Sequence, residues 1–449
     1  MESKLVNPRI LICLACCACT ALLAGSLATT ASAAVTTKVP LGLQAQIEAP
    51  TALAEQKEMV LSAYERDQNA TPARAQAVLA LQAKAAGLQE TLQARLGSGL
   101  DQAWLDTSGD TDQVVVDVAP GVDVQTVEEA LTKSGLTAGD WRIVPKSWDD
   151  AQLSQERSRL TDELKPYIHT GEVKLGVGRE AQLEILLAAD ASTPARTAAA
   201  AAASSSASPV KPLVQDSSEE RFAVQPVWYE SPGYGSPLIA GMYYDNYVVS
   251  CSTGFYATSP VNSEAYFLTA GHCAKPAEPQ DKACKSSSSC SNFGSDIGGW
   301  LGPGGDYGLM IDTAKSTWPP YPAFIDWSCC SGTLPVYGAS SPTVGEYVCH
   351  TGWRSEAVGV GTTCGTVERT ESTIELEGST VTEVEAGGSG LCVYKGDSGG
   401  PWFNPYNAYA IGIMSAAEIP SGEGECGRNA WFTSAPLAAA DMGVSIAIY

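Results

Sequence analysis

The sequence predicts a small α/β unit over residues 34–190, followed by an all-β region over residues 239–449. Three observations support this prediction. Helix-like and strand-like runs alternate in the first unit. Short β-prone runs broken by Gly, Pro and Ser dominate the last region. Every cysteine beyond residue 33 lies after residue 250. At 449 residues the chain is long enough for two domains or more.

Residues 1–33 have the pattern of a secretory signal peptide. Lys4 and Arg9 precede the apolar run ILICLACCACTALLAGSLA, and Ala31, Ser32 and Ala33 supply an A-x-A cleavage site. The alternative is a membrane anchor, because the run approaches spanning length. The cleavage site and the Ala, Thr and Ser content favour the signal. We therefore expect a secreted, extracellular protein with no stable membrane association.

The unit over residues 34–190 shows helix and strand signals in turn. One helical face carries Leu81, Ala85, Leu88, Leu92 and Leu96. The run QVVVDVA (113–119) predicts a strand, and Asp123 is placed to cap a helix through Val127 and Leu131. The segments that follow predict a strand at WRIVP (141–145), a polar helix over 148–164 and a hairpin over 172–187.

Residues 191–238 are low in complexity and rich in Ala, Ser and Pro. Such a composition has little to bury, so it predicts a mobile, protease-accessible linker. We expect a processing site within it.

The region over residues 239–449 contains ten cysteines and predicts a sandwich or barrel. An even number in an exported chain indicates disulfides. A metal site is the competing interpretation, but these ten include no C-x-x-C pair and the chain has three histidines. The sequence therefore implies neither a metal nor a cofactor. The net charge of −23 argues against nucleic acid or an anionic membrane as a partner.

The segment GDSGGP surrounds Ser398 with glycines, which favour a specially held turn over a helix or strand. A serine hydroxyl becomes a nucleophile when a base takes its proton and a third group orients that base. His272, at the end of a strand-like run, is the candidate base. Asp306 is the candidate orienting group, and Asp312 is its rival.

Three segments in the order His, Asp, Ser resemble the chymotrypsin-fold serine peptidases. They are TAGHC around His272, DYGLM around Asp306 and GDSGGP around Ser398. The likeness is to the secreted bacterial branch, the streptogrisins and α-lytic protease, and covers about residues 239–449. It implies two antiparallel Greek-key β-barrels. The upstream unit resembles, by pattern alone, the pro-region of those enzymes.

The resemblance implies roles for matching positions. His272 is the expected general base, Asp306 its orienting partner and Ser398 the nucleophile. The backbone N–H groups of Gly396 and Ser398 are the expected oxyanion hole. Two further positions match supporting residues: Ser415, which bonds the triad aspartate, and Asp397, which holds the turn through an internal ion pair.

The resemblance also implies three disulfides: Cys251–Cys273, Cys349–Cys364 and Cys392–Cys426. Cys284, Cys290, Cys329 and Cys330 are extra to this pattern. Adjacent Cys329 and Cys330 bond each other, or each bonds one of the other two. The second arrangement is favoured because it joins two loops without straining a peptide.

The chain departs from the family at His350, where an arginine usually pairs with the residue that matches Asp397. One interpretation is that His350 takes over this pairing and makes activity depend on a titrating group. The other is that Asp397 is held by another group.

The expected substrate pocket also departs from the family pattern. It carries Val393, Met414, Ala416 and Ala417, without the acidic residue of trypsin-like enzymes or the histidine of glutamate-specific ones. The two alanines should narrow the cleft, which predicts small to medium apolar P1 side chains.

These features together predict a serine endopeptidase made with a signal and a pro-region. The expected partners are protein or peptide substrates and the chain's own pro-region, which acts as folding aid and inhibitor. We expect a monomer, matured near Leu238–Ile239. The alternative is a non-catalytic secreted binding module with a vestigial triad. An α/β-hydrolase esterase is excluded because its histidine comes last along the chain.

Overall fold

A computed structural model describes residues 49–109, 111–217, 225–226, 238–245, 249–261, 264–274, 281–286, 289–313, 320–327, 332–420 and 425–449. The predicted signal peptide lies outside these residues. The chain divides into two compact units, Met1–Gln56 and Lys57–Tyr449. Only the start of one helix is described in the first unit, so the architecture below is that of the second.

The helices of the described residues are α1 (Ala49–Gln68), α2 (Pro72–Ala85), α3 (Leu88–Leu96), α4 (Val124–Lys133), α5 (Asp150–His169), α6 (Thr193–Ser205), α7 (Trp353–Ala357) and α8 (Ala435–Asp441). None of the helices in the described part of the chain combines the length and apolar character needed to cross a membrane.

The described strands of the N-terminal part are β1 (Leu100–Asp106), β2 (Gln113–Val118), β3 (Trp141–Pro145), β4 (Val173–Val177), β5 (Leu183–Leu187), β6 (Leu213–Asp216) and β7 (Gln225–Pro226). From residue 238 to 312 follow β8 (Leu238–Ala240), β9 (Tyr243–Asp245), β10 (Ser250–Ser252), β11 (Tyr256–Thr258), β12 (Ala265–Thr269), β13 (Asp281–Ser286), β14 (Ser289–Gly302) and β15 (Gly305–Asp312). The remaining strands are β16 (Pro320–Trp327), β17 (Gly332–Pro335), β18 (Gly338–Ala339), β19 (Tyr347–His350), β20 (Thr363–Leu376), β21 (Ser379–Gly387), β22 (Pro401–Asn404), β23 (Tyr409–Ala417), β24 (Asn429–Ser434) and β25 (Ser445–Ile446).

The N-terminal region contains both helices and strands. β2 pairs antiparallel with β1 and parallel with β3, and α4 makes the crossover between the parallel strands. Asp123 caps α4 by accepting a hydrogen bond from the backbone N–H of Gln125. β4 and β5 form the predicted antiparallel hairpin. The sequence did not indicate β1, because LDQAWLD has no clear alternation of apolar and polar residues.

The structure differs from the predicted mobile linker over residues 193–205, which form α6. The Ser192 side chain accepts a hydrogen bond from the backbone N–H of Ala195 and caps the helix. Alanine has the highest helix propensity, and Ala195, Ala199 and Ala202 are buried. A low-complexity composition therefore still supplies a buried apolar stripe here.

The region after residue 238 is mostly β, as predicted. Its described strands contribute to two large sheets, one in the order β10-β9-β13-β14-β15-β12-β11-β25 and one containing β19-β22-β23-β24-β21-β20. β19 pairs with both β22 and β20, so the second path returns to its start. The N-terminal hairpin continues this sheet, because β4 pairs antiparallel with β20.

Candidate active site

His272 lies in the turn after β12, against the neighbouring disulfide. The sulfurs of Cys251 and Cys273 are bonded to each other and lie within 4.8 Å of a ring nitrogen of His272. The side chain of His272 is fully buried. Because both sulfurs are used in the disulfide, this cluster does not fit a metal ion.

Asp306, near the start of β15, orients His272 with both carboxylate oxygens. Its Oδ1 accepts the backbone N–H of His272 at 2.8 Å, and its Oδ2 lies 2.6 Å from His272 Nδ1. The Ser415 hydroxyl donates to the same Oδ2 at 2.7 Å. Burial alone would raise the pKa of the Asp306 carboxyl, but the facing imidazole and these hydrogen bonds hold that pKa below its usual value. The rival candidate Asp312 makes no contact of this kind with His272 in the described residues.

Ser398 lies in a glycine turn that the surrounding backbone clamps. Gly396 has φ +113°, and a Cβ there would lie 2.9 Å from the Trp353 ring. Ser252 holds the turn twice: its hydroxyl donates to the Gly396 carbonyl at 2.9 Å and its N–H donates to the Ser398 carbonyl at 2.7 Å. The glycine is therefore required by both the backbone conformation and the close packing.

The hydroxyl of Ser398 donates to the Ser415 carbonyl at 3.0 Å. A carboxylate can only accept, so His272 Nδ1 carries the proton that faces Asp306 and Nε2 is left as an acceptor. Nε2 is buried and has no hydrogen-bond partner in the described part of the chain. The structure thus links Ser398 to Asp306 and His272 through Ser415, in a state where the serine hydroxyl makes no hydrogen bond to Nε2.

Asp397 is buried and accepts four hydrogen bonds from neutral donors. Its Oδ1 accepts the backbone N–H groups of Arg354 and Ser355, each at 3.0 Å. Its Oδ2 accepts the N–H of Tyr394 at 2.8 Å and the hydroxyl of Ser355. His350 Nε2 is 3.8 Å from Oδ2, which is too far for a hydrogen bond. This geometry favours the interpretation in which another group holds Asp397.

His350 is itself fully buried, and neither ring nitrogen has a hydrogen-bond partner in the described residues. Its ring packs on Trp402, with centroids 5.2 Å apart. His350 is therefore in contact with the aromatic core behind the serine turn.

The predicted pocket residues are all fully buried. Val393, Met414 and Ala417 belong to one apolar cluster, in which Trp402 Nε1 donates to the Met414 sulfur at 3.2 Å. Ala416 packs with Trp431 in another cluster. The backbone of β7 pairs antiparallel with β23, with Pro226 opposite Ala416 and Gln225 opposite Ala417. The edge of β23 at Ala416 and Ala417 is thus occupied by the chain's own upstream segment.

The structure contains the three disulfides that the resemblance implies, Cys251–Cys273, Cys349–Cys364 and Cys392–Cys426. The backbone register places Cys284 opposite Cys290 in the β13–β14 hairpin. Cys329 and Cys330 lie outside the described residues, so the pairing of these four stays a prediction.

Sequence reasoning missed Ser252, Ser355 and Thr433, which hold the serine turn, Asp397 and Asp306 respectively. Thr433 Oγ1 accepts the backbone N–H of Asp306 at 2.8 Å. Ser252 is 144 residues from Gly396 along the chain, and Thr433 is 127 residues from Asp306. Single polar residues in ordinary strand or loop context give no sequence signal for such contacts.

Comparison with known proteins agrees with the motifs. No family model matches the chain. The chain is 29% identical over 199 residues to streptogrisin-D of Streptomyces griseus, a match covering 44% of this chain and 44% of that protein. The chain therefore matches less than half the length of this curated relative. The likeness confirms the resemblance to the streptogrisin type of serine peptidase.

Two solved structures align with nearly half of this chain. Thermobifida fusca protease A is 24% identical, covers 47% of this chain and 98% of its own, and gives a TM-score of 0.35. A glutamic-acid-specific serine protease that uses a histidine triad in substrate binding is 25% identical, covers 47% and 100%, and gives 0.37. Both TM-scores are below 0.5, and the function proposed below depends on the geometry of the site.

Proposed function

We propose that residues 239–449 form a secreted serine endopeptidase that acts as a monomer through His272, Asp306 and Ser398. The observation that carries this proposal is a buried hydrogen-bond network. Ser415 and His272 both bond the Asp306 carboxylate, and the hydroxyl of Ser398 bonds the Ser415 carbonyl. We assign to this region two antiparallel Greek-key β-barrels. The return of the β19–β20 path to its start supports the second of them.

In the proposed reaction Ser398 Oγ attacks the scissile carbonyl carbon while His272 Nε2 takes its proton. Asp306 keeps the Nδ1–H tautomer and stabilises the imidazolium. The N–H groups of Gly396 and Ser398 bind the oxyanion, and His272 then protonates the leaving amine. Water hydrolyses the acyl-enzyme by the same proton route. The Ser398 hydroxyl must first leave the Ser415 carbonyl and turn to Nε2.

The proposal assigns residues 1–33 to the signal, 34–190 to a pro-region and 191–238 to the segment that is cut. Two contacts support an N-terminal part that folds with the enzyme and inhibits it: β4 of the pro-region extends the sheet at β20, and β7 of the cut segment occupies the edge of β23. Leu238–Ala240 forms β8, and the Ile239 carbonyl accepts the Thr253 hydroxyl at 2.7 Å. Cleavage at Leu238–Ile239 therefore requires β8 to detach.

The test is intact-protein mass spectrometry of the secreted product, with and without a fluorophosphonate probe, for wild type and Ser398→Ala. We expect one adduct on a wild-type species of about the last 210 residues by mass, and an unlabelled full-length Ser398→Ala chain. A wild-type protein that has lost its N-terminal part but takes up no probe would favour the non-catalytic binding module.

We propose small to medium apolar P1 specificity, on the basis of Val393, Ala416 and Ala417. A peptide-library digest by the matured enzyme tests this. Cleavage mainly after Lys, Arg or Glu would contradict it, whereas Ala, Val or Leu at P1 is the expected result.

A further inference from the structure

A second buried carboxyl lies behind the triad, and the reaction above does not use it. Glu383 is in the middle of β21 and is 3% exposed. β21 pairs antiparallel with β24, with Val384 opposite Phe432, which brings Glu383 next to Thr433. Glu383 also lines a cavity of about 720 Å³ between the N-terminal and C-terminal parts of the chain.

Thr433 joins Glu383 to the main chain of Asp306. Glu383 Oε1 lies 3.1 Å from Thr433 Oγ1. The same hydroxyl oxygen accepts the Asp306 N–H at 2.8 Å and lies 3.2 Å from the Asp306 carbonyl oxygen. The approach depends on Gly305, which has φ +138° and whose Cβ, if present, would lie 2.5 Å from Thr433 Oγ1.

The number of donors at Thr433 favours a protonated Glu383. Thr433 has one hydroxyl proton but faces two oxygens, the Asp306 carbonyl and Glu383 Oε1. An ionised Glu383 can only accept, so one of these oxygens would have no donor from Thr433. A protonated Glu383 donates to Thr433 Oγ1 and leaves the threonine proton for the Asp306 carbonyl. Every close contact then has a donor and an acceptor.

The surrounding charges favour the same state. From β15, Asp306 presents a negative charge, with His272 beyond it. On β21 itself, the neighbouring acid Glu385 is paired with Lys174 and Arg369. Across the cavity, Arg157 is paired with Glu371. No cation in the described residues pairs with Glu383. The two other donors that face it, the Ser415 hydroxyl and the Asp306 N–H, donate to Asp306 Oδ2 and Thr433 Oγ1.

Burial first, and the charge of Asp306 second, raise the pKa of Glu383 well above its ordinary value. A group with a raised pKa in the folded state holds its proton as the pH rises past the range where ordinary carboxyls ionise.

We propose that Glu383 is a positioning residue that acts as a neutral carboxylic acid. Through Thr433 it fixes the N–H and carbonyl of Asp306. By remaining uncharged it leaves Asp306 as the only negative charge at His272 among the described residues. This inference rests on the proposed peptidase function.

The first experiment compares Glu383→Gln and Glu383→Leu with wild type, each expressed as the full chain and assayed after maturation. The amide of Gln donates to Thr433 as a protonated acid does, so we expect kcat/KM within about threefold of wild type. Leu has a similar size but no donor, so we expect kcat to fall at least about tenfold with KM nearly unchanged. Glu377→Gln, the same change at an exposed turn residue, is the matched control.

The second measurement reads the proton directly, without activity. Infrared difference spectra of full-length Ser398→Ala with and without Glu383→Gln, taken at mildly alkaline pH, should show loss of one protonated-carboxyl band in the variant. If Glu383→Gln causes no loss of a protonated-carboxyl band, Glu383 is ionised and the proposal is overturned. This measurement remains decisive if Glu383→Leu does not fold.

The outcomes separate this inference from the proposed function. A wild-type protein that takes up no fluorophosphonate contradicts the peptidase function itself. If wild type is labelled, a Glu383→Leu variant with wild-type kcat overturns the positioning role. A Glu383→Gln variant as impaired as Glu383→Leu overturns the neutral state.

Discussion

The serine turn provides a test of what holds Asp397 in place. Asp397 accepts four hydrogen bonds, one of them from the Ser355 hydroxyl, whereas His350 Nε2 is 3.8 Å from its carboxylate. Ser355→Ala removes one bond to a charged group, and His350→Phe removes the imidazole but keeps an aromatic ring against Trp402. The two variants therefore show whether the Ser355 hydroxyl or the His350 imidazole holds Asp397.

The expected size of the effect follows from the bond that is lost. A hydrogen bond to a charged group is worth about 1.5–3 kcal/mol, and each 1.4 kcal/mol is about tenfold in an equilibrium. If that energy favours the active form of the turn, Ser355→Ala should lower kcat/KM about tenfold to hundredfold. His350→Phe should stay within about threefold, because it breaks no hydrogen bond.

The assay is kcat/KM on a chromogenic peptide over a range of pH, with the active fraction measured by fluorophosphonate labelling. We expect His350→Phe and wild type to lose activity along the same alkaline limb. The reasoning would be refuted if wild type lost activity at alkaline pH, His350→Arg did not, and Ser355→Ala had the kcat/KM of wild type. That result would identify His350 as the titrating partner of Asp397.

Three further predictions concern the same molecule. In full-length Ser398→Ala, Lys174→Met should lower the free energy of unfolding by about 3–5 kcal/mol, because it removes a cation from a buried pair. A denaturant titration measures this change, and a loss below about 1 kcal/mol would contradict the prediction. Burial, and after it the charge of Asp117, raises the pKa of Asp101 to about 7, above its value in the unfolded chain. The folded state therefore binds more protons than the unfolded state, and wild-type stability falls as the pH rises from about 4 to 7. Asp101→Asn should therefore gain about 2–4 kcal/mol over wild type at about pH 8 but not at pH 4, and equal gains at both pH values would exclude the linkage. Gly396→Ala should abolish fluorophosphonate labelling, since its Cβ would meet the Trp353 ring at 2.9 Å; normal labelling would show that the turn relaxes.

The parts of this molecule that sequence alone predicts are those with local causes. The strand at 113–118, the cap at Asp123 and the hairpin over 173–187 each depend on neighbouring residues. The turn at Ser398 is similar, because its glycines are needed for its own backbone conformation. The six residues of GDSGGP are therefore enough to predict this turn.

What sequence could not predict depends on distant partners. α6 forms because its alanines find an apolar surface to cover, and composition alone gave no sign of that surface. Glu383 and Thr433 are 50 residues apart, and Lys174 and Glu385 are 211 apart. One signal was present: Glu383 and Glu385 alternate with valine and alanine in VTEVEAG, which places two acids on one face of a strand. Adjacent acids on one buried face indicate that each must be neutralised.

The two acids of β21 are neutralised in different ways, and the difference bears on the proposed maturation. Glu383 has no cation beside it in the described residues, and in the proposed state a proton neutralises it. Glu385 accepts Lys174 Nζ at 2.8 Å and lies 3.3 Å from Arg369 Nη1, while Arg369 Nε bonds Glu184 at 2.7 Å. Lys174 and Glu184 belong to the proposed pro-region, and Arg369 and Glu385 to the enzyme.

Separation of the pro-region therefore removes one cation and one anion from this network. The Arg369–Glu385 pair that remains is neutral, and Arg369 also keeps its contact with the exposed Glu368 at 3.2 Å. A buried charge without a partner would cost several kcal/mol, but neither side of this interface is left with one in the network. The interface can thus contribute strongly to the full-length chain without destabilising the enzyme that remains. Accordingly, Lys174→Met should weaken the full-length protein and leave the thermal stability of the matured enzyme unchanged.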